Sequence, residues 1–416
     1  MAQERHGRRT VFALTWVSYA SYYLCRKGFG VTKARIEHTL GISSGWLAAI
    51  DTVYLITYAA GQFGSGILGD RIGARRLLAI GMIGSALACL AFGSAQGAIV
   101  LMVAFAVNGL LQSTGWPGNT KVMADWYPPQ ERGTAMGVWS TCYQAGGLAA
   151  TAVATALLGA FGWRWAFRGP AIWVALVGVV LWLFLRDRPP ISATGRGAED
   201  RGEDVDEERR EAFYRVILSP TVWSFGAAYF CLKIIRYSLL FWLPYYLHTA
   251  LGYSESHAGY LSVSFEVGGI AGTLLAGYLS DRIPGRRRSL VATGMMLALA
   301  AALLLYSVLA SWGGVANFAG MALVGLLLFG PDSILAGAAA QDLGGKHAAG
   351  TATGFVNGMG SVGAILQGAF TVSVREAFGW TAVFYAFLGL SVLGAVALAP
   401  TWRQKAPSPA VEILPR

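Results

Sequence analysis

This chain of 416 residues is poor in charge. Asp, Glu, Lys and Arg make up 13% of it, about half the share in a soluble globular domain. Cysteine is scarcer still. Cys25, Cys89, Cys142 and Cys231 are the full set, each within an apolar run, which fits small buried residues rather than a disulfide framework. No Walker loop, dinucleotide turn or zinc-ligand spacing occurs. Nor does any nucleophile–base constellation. These absences speak against an enzyme, a metal site or a bound cofactor.

What abounds is apolar surface, with 55% of residues hydrophobic and 54 glycines without a collagen period. Small residues let transmembrane helices approach closely. Apolar runs of about 20 residues, enough to cross roughly 30 Å of hydrocarbon, fall near 10–30, 46–67, 77–96, 98–118, 133–158, 165–186, 221–248, 257–279, 288–310, 315–338, 348–373 and 379–400. The expectation is an all-α membrane protein of twelve transmembrane helices, with the lipid bilayer as its main partner.

The net charge of +10 then reads as the positive-inside rule, not as nucleic-acid binding. Arg5, Arg8 and Arg9 precede the first span, Arg71, Arg75 and Arg76 follow the second, Lys121 and Arg132 the fourth, and Arg282 and Arg286–Arg288 the eighth. Alternating spans put all of these on one side, together with both termini, which makes that side cytoplasmic. Lys33, Arg35, Arg164, Arg168 and Arg375 fall on the other side. The opening MAQERHGRR reads as a cytoplasmic tail rather than a signal peptide. Residues 187–217, charged and rich in Pro and Gly, read as a solvated linker between bundles at 1–186 and 218–416.

The two halves repeat each other. GILGDRIGARR at 66–76 matches GYLSDRIPGRR at 277–287, RGTAMG at 132–137 matches AGTATG at 349–354, and AFGW recurs at 160–163 and 377–380. With these motifs the whole chain resembles the major facilitator superfamily, which implies two pseudo-symmetric six-helix bundles and a substrate site between them. In that family the Gly-Asp-Arg loops are gating elements, here Asp70 with Arg71 and Asp281 with Arg282.

An ionisable residue inside a span is a functional hypothesis by default. Arg26, Lys27, Lys233, Arg236, Glu266 and Asp332 qualify; Asp51, near a helix end, reads as structural. Tyr19, Tyr23 and Arg26 share one helical face, and Tyr229, Lys233 and Arg236 repeat that spacing on the helix that opens the second half. Pseudo-symmetry should therefore set Arg26 and Arg236 on opposite walls of a central cavity. Two facing guanidiniums call for an anion between them, and Arg holds phosphate or carboxylate in a bidentate fork. Four cations against two carboxylates leave about +2, which suits a dianion such as a phosphate monoester. Tyr54, Tyr58 and Gln62 form a polar-aromatic stripe on the second helix, and Trp139, Ser140, Tyr143 and Gln144 a patch on the fifth; both offer hydrogen bonds to oxygens. Trp116-Pro117-Gly118 should deform the end of the fourth span.

YYLCRK (22–27), GWPGNTKVMADWYPPQERG (115–133), IRYSLLFWLPYYL (235–247), FEVGGIAGTLLAGYLSDR (265–282) and AAGTATGF (348–355) narrow the resemblance to the organophosphate:phosphate antiporter family. It implies exchange of a sugar phosphate or glycerol-3-phosphate-like solute for inorganic phosphate by alternating access, in a monomer and, by its bacterial members, in an inner membrane. It also implies substrate contacts at Arg26, Arg236, Tyr19, Tyr23 and Tyr58, and switchable ion pairs involving Lys27 and Glu266. Gln62, Tyr143 and Phe241 stand where bacterial glycerol-3-phosphate carriers have lysine, histidine and aspartate. Lys233 resembles the lysine of the animal sugar-phosphate branch. Gln62, Tyr143, Lys233 and Asp332, with Asn357 and Ser361, would then shape specificity. Two other readings stay open on these residues: a proton-coupled symporter or exporter using Glu266 or Asp332, and a non-transporting sensor of hexose phosphate.

Overall fold

The structure is a computed structural model, and it describes residues 2–127, 135–136, 138–139, 141–187, 214, 218–282 and 288–402. Most of the expected linker, 187–217, lies outside them. The helices are α1 (Ala2–Tyr22), α2 (Leu24–Leu40), α3 (Ser44–Ile72), α4 (Ala74–Phe92), α5 (Ala98–Gln112), α6 (Gly115–Trp126), α7 (Thr141–Phe161), α8 (Trp165–Phe184), α9 (Pro220–Thr249), α10 (Glu255–Arg282), α11 (Arg288–Leu309), α12 (Gly314–Ser333) and α13 (Ala339–Ala397). Among the described residues nine helical stretches are long and apolar enough to cross a membrane.

The expected spans map onto these elements with informative differences. The first span is longer than 10–30: α1 and α2 are nearly continuous, interrupted at Tyr23. The fourth span is α5 plus α6. Its interruption falls at Ser113 and Thr114 rather than at Pro117, because Pro117 sits in the first turn of α6, where its missing N–H costs nothing. The last helix is assigned as one run of 59 residues, about 90 Å if straight. It is not straight. Phe370 and Phe387 stack with ring centroids 6.4 Å apart, although 17 intervening steps of a straight helix would separate them by about 25 Å. The reversal sits at Gly379, whose φ is +82°. Its counterpart in the repeated AFGW, Gly162, has φ +84° and separates α7 from α8. The repeat is therefore conformational: both glycines adopt the left-handed backbone that other residues avoid. With that hairpin counted as two spans, and with the more polar α1–α2 and with α3, the twelve expected spans are accounted for.

Two apolar cores hold the molecule. One is built from residues 11–185, joined by Phe241, Trp242, Tyr245, Ala364 and Val372. The other is built wholly from residues 222–398. The five exceptions belong to α9 and α13 and lie where the halves meet. Further cross-half contacts gather at the same end. Arg35 donates to both carboxylate oxygens of Glu255 at 2.8 and 2.9 Å. Arg375 donates to Tyr245, whose hydroxyl donates to Glu37 at 2.6 Å. Ser44 donates to Glu376 and accepts from Arg375. This is the end opposite the Gly-Asp-Arg loops, and here the halves are closed on each other.

At the loop end, Arg71 and Arg282 are exposed, and the Arg282 guanidinium lies 4.2 Å from the centre of the Tyr278 ring. The side chains of Asp70 and Asp281 lie outside what is described. Asp187, at the start of the expected linker, plays a structural role. Its carboxylate accepts the Arg75 backbone N–H at 2.6 Å, satisfying a donor at the start of α4.

Candidate functional site: two arginines at the junction of the halves

On the first half, the break at Tyr23 lets α1 and α2 present one aromatic face. Tyr19 and Tyr23 meet edge to face at 6.0 Å, and the Arg26 guanidinium lies 4.9 Å from the Tyr23 ring centre. Across from them α3 contributes Tyr58 and Tyr54, at 4.9 and 5.7 Å from the same guanidinium. Arg26 is thus caged by three aromatic faces, each an electrostatic partner for a cation. Gln62, the third member of that expected stripe, is half-buried on the same helix; the amide that bonds Arg26 is a different one. Tyr143 packs against the first core, and Trp139 is buried, donating to Thr15 at 3.1 Å; Ser140 lies outside the described residues.

What fixes Arg26 is a residue that the pattern of charges does not reveal. Arg26 Nε donates to Gln112 Oε1 at 3.1 Å, and Tyr54 donates to the same oxygen at 2.9 Å. The Gln112 amide nitrogen donates to the Tyr22 carbonyl at 3.1 Å. One turn earlier, Asn108 donates to the Cys25 carbonyl at 2.9 Å and accepts from Ser85 at 2.5 Å. The Gln112 bond occupies the Tyr22 carbonyl, whose helical donor, the Arg26 N–H, is turned to Tyr23 instead. The signal was present in AIVLMVAFAVNGLLQ: two amides four residues apart in an otherwise apolar span share one face.

On the second half, Arg236 of α9 donates to Asp332 of α12, and Lys233 reaches the other Asp332 oxygen at 3.1 Å. Arg236 also lies 4.4 Å from the centre of the Phe329 ring, and Lys233 sits over Tyr229 and Tyr237. Asp332 follows Pro331 and precedes a π-type turn over Ile334–Ala338, a local widening that recurs at functional positions. The Arg236 Nε is buried without a hydrogen-bond partner. The two arginines are therefore unequal. Arg26 is held by neutral groups, whereas Arg236 shares a carboxylate with Lys233.

Lys27 points away from Arg26 and pairs with Glu266 of α10. The pair is buried, and it joins the two halves. Gly147 of α7 packs against it: a Cβ there would make ordinary contact with Glu266, at 3.4 Å. Arg236 is near enough to Tyr23 and to Lys27 to act on both electrostatically. The expected site residues Tyr19, Tyr23, Arg26, Lys27, Tyr58, Lys233, Arg236, Glu266 and Asp332 are thus brought to one junction.

One expectation is corrected. Lys33, read as a cation of the far-side loops, lies inside α2 with no exposure and is paired with Asp51, also fully buried. Its apolar surroundings are tolerated because the charge is matched by Asp51 and by the Trp242 ring, 3.6 Å away,.

The model of the Major Facilitator Superfamily matches residues 15–368. The chain belongs to that superfamily. Within it, the chain is 34% identical to the Arabidopsis thaliana protein named "Putative glycerol-3-phosphate transporter 2", over 93% of this chain and 85% of that one. It is 32% identical to sugar phosphate exchanger 3 of Homo sapiens, over 96% and 94% of the two chains. Among solved structures, a bacterial homologue of the human lysosomal transporter Spinster, inward-facing and unoccupied, superposes with a TM-score of 0.73 at 17% identity, over 95% and 94% of the chains. A D-xylose-proton symporter gives 0.75 at 13% identity, over 93% and 97%. These two show the same fold; the superfamily match and the long apolar helices make this an integral membrane protein.

Proposed function

We propose that this facilitator is a secondary transporter that exchanges an organophosphate for inorganic phosphate by alternating access. One observation carries the reading. Arg26 is a buried guanidinium with no carboxylate among its described partners, and a second guanidinium, Arg236, lies across the junction of the halves. A bound phosphate would complete Arg26 with charge-assisted bonds that the tyrosines cannot supply. It would also offset the repulsion between the two arginines, so that the loaded protein switches sides more readily than the empty one. The ligand moves the equilibrium only because it interacts differently with the two states. The names of the plant and human relatives support an organic phosphate as cargo.

Arg26 and Arg236 then bind phosphate, with Tyr19, Tyr23 and Tyr58 lining the path and Gln62, Tyr143 and Lys233 beside the organic part. Lys27–Glu266 and the Lys233–Asp332–Arg236 group are the ion pairs that rearrange as the halves rock. The loops with Asp70, Arg71, Asp281 and Arg282 form the gate at the Arg-rich end. The bundles are 1–186 and 218–416, the termini are cytoplasmic by the distribution of Arg, the working unit is a monomer, and no chemical step is catalysed. The plant and animal relatives lend no support to a bacterial inner membrane.

Purified protein in liposomes loaded with phosphate tests this. Arg26→Lys and Arg236→Lys each keep a charge but lose the fork, and each should reduce phosphate exchange by about tenfold or more. Near-normal exchange in either variant sinks the assignment.

A further inference from the structure

The fully buried pair Lys33–Asp51 stands apart from the phosphate site and has a feature the other pairs lack. Both partners belong to the first half, on α2 and α3, yet much of what seals them belongs to the second. The Trp242 indole of α9 lies 3.6 Å from Lys33 Nζ, and the Phe241 ring lies 5.6 Å away. Phe29, 5.1 Å away, is the ring from their own half. Gln367 of α13 faces Asp51 from the second half.

The seal is also incomplete in hydrogen bonds. Asp51 Oδ1, both polar atoms of the Gln367 amide and the Trp242 indole nitrogen are buried without a well-formed partner. Four such atoms at one contact are costly, because each has given up water without full replacement. The contact lies at the closed end, beside Thr52, which donates to the Ile365 carbonyl of the other half, and near the Arg35–Glu255 pair.

We propose that Lys33–Asp51 under Trp242 is a latch that sets how readily the mouth opposite the Gly-Asp-Arg loops opens. Closure buries a charge pair already formed in the first half, at a desolvation cost. The Trp242 face offsets part of that cost through its attraction for the Lys33 ammonium. Opening withdraws Trp242 and Gln367, and water reaches the pair and the polar atoms around it. At this contact, beside the polar contacts of Arg35 with Glu255 and of Ser44 with Glu376, closure is therefore a balance of two opposed terms. The latch acts whatever solute the transporter carries.

Spin labels on cysteines replacing Thr39 and Ala250, both exposed at this end, report the mouth in liposomes by the distance between them. Lys33→Met leaves Asp51 as an unpaired carboxylate whenever the mouth is closed, so the open-to-closed ratio should rise about tenfold or more. The double change Lys33→Met with Asp51→Leu removes both charges, and the ratio should return to or below that of the wild type. Trp242→Leu leaves the pair intact but removes its lid, and the ratio should rise as for the first variant. If Lys33→Met fails to fold, Trp242→Leu and the double change still decide. An unchanged distance distribution in the variants that fold, or a double change that opens the mouth as far as Lys33→Met does, overturns the proposal.

Discussion

Gln112 Oε1 accepts hydrogen bonds from both Arg26 and Tyr54, at 3.1 and 2.9 Å. The position is the neutral counterpart of Asp332, which accepts from Arg236 in the other half. That contrast leaves Arg26 as the guanidinium with unshared charge, and it leads to a direct test. Gln112→Glu should pair with Arg26 as Asp332 pairs with Arg236 and remove about one unit of the site's positive charge. Phosphate affinity measured by exchange kinetics should then weaken by about tenfold or more, mostly in KM. Unaltered kinetics would mean that the charge on Arg26 does not meet the substrate.

Gln112→Leu asks a different question. It leaves the Tyr22 carbonyl and the Tyr54 hydroxyl without their buried partner, a loss of about 1–3 kcal/mol for an unsatisfied buried group. Thermal unfolding in detergent should show the drop, together with reduced exchange because Arg26 loses its hold. A variant as stable as the parent would show that the network around Tyr23 is dispensable.

Lys27 and Glu266 join the halves through a buried ion pair. Removing one partner leaves the other charge uncompensated, at a cost of about 3–5 kcal/mol, whereas removing both is far milder. Exchange by Lys27→Ala should therefore be partly rescued by adding Glu266→Gln. Strictly additive losses in that double-mutant cycle would show that the two residues do not act as a pair in the working cycle.

Asp332 divides its oxygens between Arg236 and Lys233. Asp332→Asn keeps the shape but releases a positive charge into the site. Phosphate should bind more tightly while exchange slows, since the anion must leave at every half-cycle. Binding that weakens in this variant would instead place Asp332 among the groups that order the arginines for substrate.

Much of this was legible in the sequence. The twelve spans follow from apolar length, and the repeat was visible in AFGW, whose two glycines proved to share one backbone conformation. Arg26, Arg236, Lys27 and Glu266 stood out because a charge in a span needs a reason. Lys33 did not, because it lies just past the most apolar part of its span and looks like a loop cation by count alone. Its partner is 18 residues away, and its lid, Trp242, is in the other half. Contacts of that kind depend on how the two bundles meet, and no local pattern encodes them. Gln112 was missed for a milder reason: amides are less conspicuous than charges, although their spacing with Asn108 was on view.

The most direct test of the central claim is counterflow of labelled phosphate in liposomes, with no proton gradient imposed. Internal inorganic phosphate, hexose phosphates, glycerol-3-phosphate and phosphoglycerates are compared as drivers. Phosphate and at least one organophosphate should each drive uptake of external label, with little movement when neither is present inside. Uptake that requires a proton gradient and ignores the trans anion would contradict exchange and favour proton coupling through Glu266 or Asp332.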